Sequence, residues 1–207
     1  PHVKLVAVSK TKPNEDILKA YRAGQRVFGE NKAQELIGKQ PDLPEDIQWH
    51  FIGHLQRNKV KFLVPFVTMI ESVDSFRLLR QINKEAMKVE RRIDCLLQFH
   101  IASEETKFGL DITEAKDILG SEEFTKFEGV RICGVMGMAT FTSDMEKVRS
   151  EFKTLKAIFD QLKASYFADN EDFKYISGGM SNDYRVAIEE SCNIIRIGSE
   201  IFGERNK

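Results

Sequence analysis

Short apolar runs rich in Val and Ile recur along this chain at residues 4–9, 26–28, 48–52, 68–73, 93–101, 130–136, 173–177 and 193–197. Such runs predict strands buried on both faces, as in a parallel sheet covered by helices. The segments between them carry a helical period. Asn14 is placed to cap a helix with Glu15 and Asp16 in its first turn, Ile17, Leu18 and Tyr21 on one face, and Gly24 at its end. Ser75 starts another, with Leu78, Leu79, Ile82 and Ala86 turned inward. Over residues 143–167, Val148, Phe152, Leu155, Phe159, Leu162 and Tyr166 recur at alternating steps of four and three, with Lys and Glu elsewhere. That stripe predicts core packing rather than a partner-binding face.

Eight strands alternating with helices predict an α/β protein, a single TIM-type (β/α)8 barrel spanning residues 1–207. The chain is shorter than the ~250 residues typical of that barrel, which calls for short loops and a reduced N-terminal helix. A doubly wound open sheet is the alternative, weakened because no G-x-G-x-x-G follows the first strand.

Composition narrows the class. A hydrophobic fraction of 42% with 30% charged residues is that of a soluble globular protein. A net charge of −1 gives no global field that would favour nucleic acid or an anionic membrane. No apolar run approaches the ~20 residues a bilayer span requires. Cys95, Cys133 and Cys192 are widely spaced in apolar surroundings, without metal spacing, and read as reduced, buried thiols. No signal peptide is visible, and the chain starts at Pro1 rather than Met. The expectation is a cytoplasmic monomer without nucleic-acid, membrane or metal partners.

In a barrel of this kind, functional residues collect on the loops at the carboxyl ends of the strands. Those positions hold Lys10, Gly29-Glu30-Asn31, Gly53-His54-Leu55-Gln56, Met136-Gly137-Met138-Ala139, Ser177 to Ser181, and Gly198-Ser199. Lys10 shares strand parity with Val6 and Val8, so it is expected to point into the barrel mouth. Desolvation disfavours a charged amine, and a neutral amine attacks an aldehyde to form a Schiff base. A surface ion pair is the plain alternative. The Ser177–Ser181 and Ile197–Ser199 loops combine glycines, which admit a close anion, with hydroxyls that donate to it. Barrels frequently hold phosphate at the loops after strands seven and eight; tight turns are the plain alternative for these glycines, weakened by finding two such loops at that pair of strands. A lysine facing a phosphate cradle is the arrangement a pyridoxal 5′-phosphate (PLP) site needs. Arg196 points opposite to Ile195 and Ile197, so its guanidinium needs an acceptor inside the barrel. A pyridine nitrogen or the carboxylate of Glu200 would serve. His50 and His54, four apart near the third strand end, lack a third ligand and read as structural or cofactor-adjacent.

Several motifs in order resemble the pyridoxal phosphate homeostasis (PLP-binding) protein family, whose fold is similar to the N-terminal barrel of alanine racemase. They are Val6-Ala7-Val8-Ser9-Lys10-Thr11-Lys12-Pro13, Phe28-Gly29-Glu30-Asn31, Trp49-His50-Phe51-Ile52-Gly53 and Leu55-Gln56-Arg57-Asn58-Lys59. Met180-Ser181-Asn182-Asp183 and Arg196-Ile197-Gly198-Ser199-Glu200-Ile201-Phe202-Gly203 complete the set. The resemblance implies that Lys10 carries PLP as a Schiff base and that Arg196 faces the pyridine nitrogen. It implies that Ser177, Ser181, Gly198 and Ser199 hold the phosphate, and that Asn31 lies near the ring. The family is understood to bind and supply PLP without established turnover. Amino acids and PLP-requiring apoenzymes are then the candidate partners. The chain departs from the family in having only Pro1-His2-Val3 before the first strand and a Ser-Gly-Gly sequence before Met180.

Two other readings compete with a homeostasis protein. One is a PLP-dependent amino-acid racemase-like enzyme, and the other a barrel isomerase or aldolase that uses Lys10 on a sugar phosphate. Racemisation takes an acid/base on each cofactor face, and related racemases draw one, a tyrosine, from a second, β-rich domain. The chain ends at Lys207, just past the eighth strand, and Tyr21, Tyr166, Tyr175 and Tyr184 offer no evident substitute, which favours a non-enzymatic role.

Overall fold

The computed structural model describes residues 2–103 and 108–203; the expectations resting on Pro1 and on the end at Lys207 lie outside the described residues. Eight parallel strands close into a barrel in chain order: β1 (Lys4–Val8), β2 (Val27–Glu30), β3 (Gln48–Phe51), β4 (Met69–Val73), β5 (Ile93–Phe99), β6 (Val130–Gly137), β7 (Tyr175–Ser177) and β8 (Ile194–Ile197). Closure is made by β1 on β8, with Lys4, Leu5, Val6 and Ala7 in register with Ile194, Ile195, Arg196 and Ile197. The open-sheet alternative is thereby excluded.

Helices α1 (Asn14–Arg22), α2 (Ala33–Lys39), α3 (Val60–Leu63), α4 (Phe76–Lys88), α5 (Ile112–Leu119), α6 (Met145–Tyr166), α7 (Tyr184–Glu189) and α8 (Ser199–Phe202) follow the strands in turn. Strand alternation sorts the core into two layers. Ala7, Phe28, Phe51, Ile70, Leu97, Val135 and Ile176 pack outward against the helices. Val6, Met69, Leu96, Cys133, Met136 and Ile194 form a smaller cluster, which alternation places inside the barrel. The α6 stripe packs for most of its length: Val148, Phe152, Leu155 and Leu162 are buried and Phe159 is partly so, but Tyr166, expected in the core, is exposed at the helix end. Ser75 caps α4 by accepting the Leu78 N–H at 3.2 Å.

Several boundaries differ from the sequence pattern. Asn14 lies inside α1, whose N-cap is Pro13 without a side-chain cap bond, because the fixed Pro13 φ already starts the turn. The second strand runs on to Glu30, since Gly29 pairs with Val8 and His50 and Glu30 pairs with Phe51. Phe173 is not in β7 but stacks with Phe159 and Phe167, at ring-centre distances of 4.9 and 4.2 Å. Asn193 stands outside β8, its side chain accepting from Ile176 N–H at 2.8 Å and donating to the Lys174 carbonyl at 2.7 Å. Among the described residues no helix is long and apolar enough to cross a membrane.

Candidate functional site

A cavity of about 300 Å³ opens at the carboxyl ends of β1 and β8. Val8, Lys10, Lys12, Ile52, Met180, Ser181, Asn182, Arg196, Gly198, Ser199 and Gly203 line it. The volume is at the small end of ligand pockets, which run from roughly 300 to 1,000 Å³. Lys10 follows the end of β1 and comes from the opposite end of the sequence to the hydroxyl loops, so barrel closure brings them together. The next residue, Thr11, has a φ of 66°. A β-branched residue in the left-handed region is strained, and the strain turns the chain sharply away from the strand at Lys10.

The opposite wall comes from the loops after β7 and β8. Ser199 Oγ donates to Ser181 Oγ at 3.0 Å, which sets both hydroxyls side by side. Gly179 has a φ of +94°, and a Cβ there would stand 2.7 Å from Ala187 Cβ. Only glycine lets this loop pass so close to α7. Its carbonyl accepts the Arg196 N–H at 2.9 Å, while Met180 N–H donates to Asp183 Oδ1 at 2.6 Å. The loop is therefore fixed at both ends of its turn. Lys12 reaches across the mouth and donates to the carbonyls of Phe202 and Gly203 at 2.9 and 3.2 Å.

Below the cavity lies a buried polar network that the sequence did not announce. Arg196 is 4% exposed and donates to Ser177 Oγ and, at 3.2 Å, to the Gly137 carbonyl. Ser177 Oγ in turn donates to Glu71 Oε2, and His50 Nδ1 lies 2.5 Å from Glu71 Oε1. An ionised carboxylate only accepts, so His50 carries its proton on Nδ1. Burial alone would raise the Glu71 carboxyl, yet the His50 hydrogen bond and charge, the Arg196 charge and the Ser177 hydroxyl hold it below the ordinary value. His50 Nε2 is buried without a hydrogen-bond partner. The partner of Arg196 is thus Glu71, 3.7 Å away, rather than Glu200. Glu71 sits in an apolar run, Met69–Val73, where nothing marks a single acid as a partner.

The expected site residues divide. Lys10, Ser181, Arg196, Gly198 and Ser199 share the cavity. Ser177 does not line it; its hydroxyl is taken up by Arg196 and Glu71. Asn31 borders a second cavity of about 250 Å³ with Lys32, His54 and Lys59. A Cβ at position 53 would stand 2.1 Å from the Asn31 carbonyl oxygen, so Gly53 is what lets the β3 loop close on it. The two histidines part company: His50 belongs to the buried network, and His54 pairs with Asp74 at 2.8 Å and stacks on Phe108. Among the described residues no three His, Cys, Asp or Glu side chains converge as a metal site. All three cysteines are buried and free, and burial pushes the Cys133 and Cys192 thiols up to about 12. An amine, paired hydroxyls at a glycine loop and a guanidinium fit a phosphorylated aromatic aldehyde.

The profile of the family described as alanine racemase, N-terminal domain, matches residues 1–206. A pyridoxal phosphate homeostasis protein of Aquifex aeolicus is 39% identical over 204 residues, covering 98% of this chain and 87% of that protein. PipY of Synechococcus elongatus, solved with PLP bound, superposes with a TM-score of 0.87 at 33% identity, over 98% of this chain and 93% of that one. Alanine racemase from Bartonella henselae shares the fold, with a TM-score of 0.71 at 14% identity, over 99% of this chain and 56% of that one.

Proposed function

The chain belongs to the alanine racemase N-terminal domain family, with pyridoxal phosphate homeostasis proteins among its relatives, and we propose that it binds PLP at the barrel mouth as an intracellular PLP carrier. The observation that carries this reading is the cavity that gathers Lys10, Ser181, Arg196, Gly198 and Ser199 from the two ends of the sequence. The names of the relatives and the PLP bound to PipY support it.

When bound, PLP supplies an aldehyde carbon and an electron-withdrawing ring. Lys10 is the residue that would hold the aldehyde carbon, through its Nζ. Ser181, Gly198 and Ser199 receive the phosphate. Arg196, permanently charged, would hold the ring nitrogen without giving it a proton. Ser177 acts through Arg196, which it holds in place. Asn31, which borders the neighbouring cavity, does not line the one that would receive the ring. PLP-requiring apoenzymes are the recipients in this reading, and free amino acids compete with Lys10 for the aldehyde.

Incubation with PLP is expected to give absorbance near ~420 nm, a property of the protonated Schiff base. Borohydride should fix the label on Lys10, and Lys10→Ala should lose it from that peptide. A colourless protein whose Lys10 stays unmodified overturns the assignment. Exchange of an amino acid's α-proton in deuterated water would instead favour turnover over carriage.

A further inference from the structure

On the helix side of the barrel wall that carries Lys10, a second polar cluster closes. Glu30 ends β2 and is fully buried, and Lys39 ends α2 with its side chain 11% exposed. The Lys39 ammonium donates to the Ser9 carbonyl at 2.9 Å, Glu30 Oε1 at 2.8 Å and Glu35 Oε1 at 2.6 Å. Those three bonds use all three of its N–H groups. Ser9 Oγ donates to the same Glu30 oxygen at 2.7 Å, and Thr11 N–H donates to the same Glu35 oxygen at 2.6 Å. The cluster grips the peptide groups just before and just after Lys10.

Two observations give that grip a purpose. Thr11 holds a left-handed backbone, a strain that persists only where the surroundings over-determine it. Glu35 supplies that restraint through the Thr11 N–H. Glu30 also occupies a position in the strand–helix layer where an apolar side chain would pack without desolvation cost. Its second oxygen is buried with no partner, so the carboxylate is used for what its first oxygen holds.

We infer that Lys39, together with Glu30 and Glu35, is a positioning residue that fixes the Lys10 backbone from behind the wall and so aims its amine into the cavity. This rests on the reading that Lys10 takes up PLP. A surface ion pair would leave the Ser9 carbonyl alone; here that carbonyl is one of three ligands of a nearly buried ammonium.

The full chain tests this with two readouts. One is the rate at which borohydride traps PLP on Lys10. The other is equilibrium binding of pyridoxine 5′-phosphate, which keeps ring and phosphate but carries an alcohol in place of the aldehyde. Lys39→Met is expected to slow trapping roughly tenfold or more, since misplacing a reacting group by about 1 Å costs on the order of a hundredfold. Pyridoxine 5′-phosphate affinity should stay unchanged. Glu35→Gln, which keeps an oxygen acceptor but removes its charge, should slow trapping less and in the same pattern. It decides the matter on the same two readouts if Lys39→Met does not fold. Trapping at the wild-type rate, or an equal fall in both readouts, overturns the positioning role while leaving the cofactor reading intact. A wild-type chain that traps nothing on Lys10 overturns the cofactor reading and the positioning role with it.

Discussion

Glu71 and Glu30 are both fully buried carboxylates on barrel strands, one inside the barrel and one behind its wall, yet their pKa values move in opposite directions. For Glu71, both oxygens are taken, by His50 and by Ser177, and the Arg196 charge stands 3.7 Å away. For Glu30, burial is the largest influence and raises the carboxyl; Lys39 and Ser9 oppose it, and the neighbouring Glu35 charge adds to it. Lys39 is shared between two acids, and Glu30 Oε2 has no partner. Burial alone therefore does not fix a carboxylate's state. The donors per oxygen and the charges per cation decide it.

The sharpest way to break the comparison is to remove each acid. Glu71→Ala leaves the buried Arg196 charge without its counter-charge and His50 Nδ1 without its acceptor, and should cost about 3–5 kcal/mol in urea unfolding. Glu30→Ala should cost less, about 1–3 kcal/mol, because Lys39 keeps Glu35 and the Ser9 carbonyl. Equal costs would erase the distinction.

Acidification separates the pair next. Glu71 has a depressed pKa, so its contribution is present above the unfolded carboxylate value of ~4.3 and is lost as pH falls through its lower folded value. Glu30 has a raised pKa, so its ionised form costs stability above that raised value. The cost is relieved as pH falls from there toward ~4.3. Urea midpoints followed through acid should show Glu71→Gln flattening the loss below ~4.3 and Glu30→Gln removing the gain above it. A variant whose profile overlays the wild type removes that acid from the argument.

The two serines that serve the acids stay below the loss of Glu71, and Ser9 is the smallest of all. Ser177→Ala leaves Arg196 and Glu71 without their bridging hydroxyl and should cost about 1–3 kcal/mol. Ser9→Ala, where Lys39 still reaches Glu30, should cost about 0.5–1.5 kcal/mol. Thermal unfolding of the two variants side by side measures the gap.

The barrel was legible because eight Val- and Ile-rich runs and the α6 stripe are properties of local sequence. Lys10, Ser181, Gly198 and Ser199 were legible too, since strand parity and strand order place them at one mouth. Glu71, Glu30 and Lys39 were not. Each looks ordinary in its own segment and acquires a role only through partners on other elements, as Glu71 does from Ser177, 106 positions away. Ser177 was read as a phosphate ligand because its loop is rich in glycine and hydroxyls; the pleat instead turns its hydroxyl down toward Arg196. Asn14 misled for a local reason, since Pro13 had already set the helix start.

The closure of β1 on β8 also governs timing. The strand before Lys10 is the first of the eight to be synthesised and its pairing partner the last. At ~5–20 residues per second, the two are separated by roughly ten seconds or more of translation. The Lys12 bonds to Phe202 and Gly203 form later still. A small molecule gripped from both sides of that joint is gripped only by completed molecules. Its uptake during synthesis reports the moment at which the last strand docks.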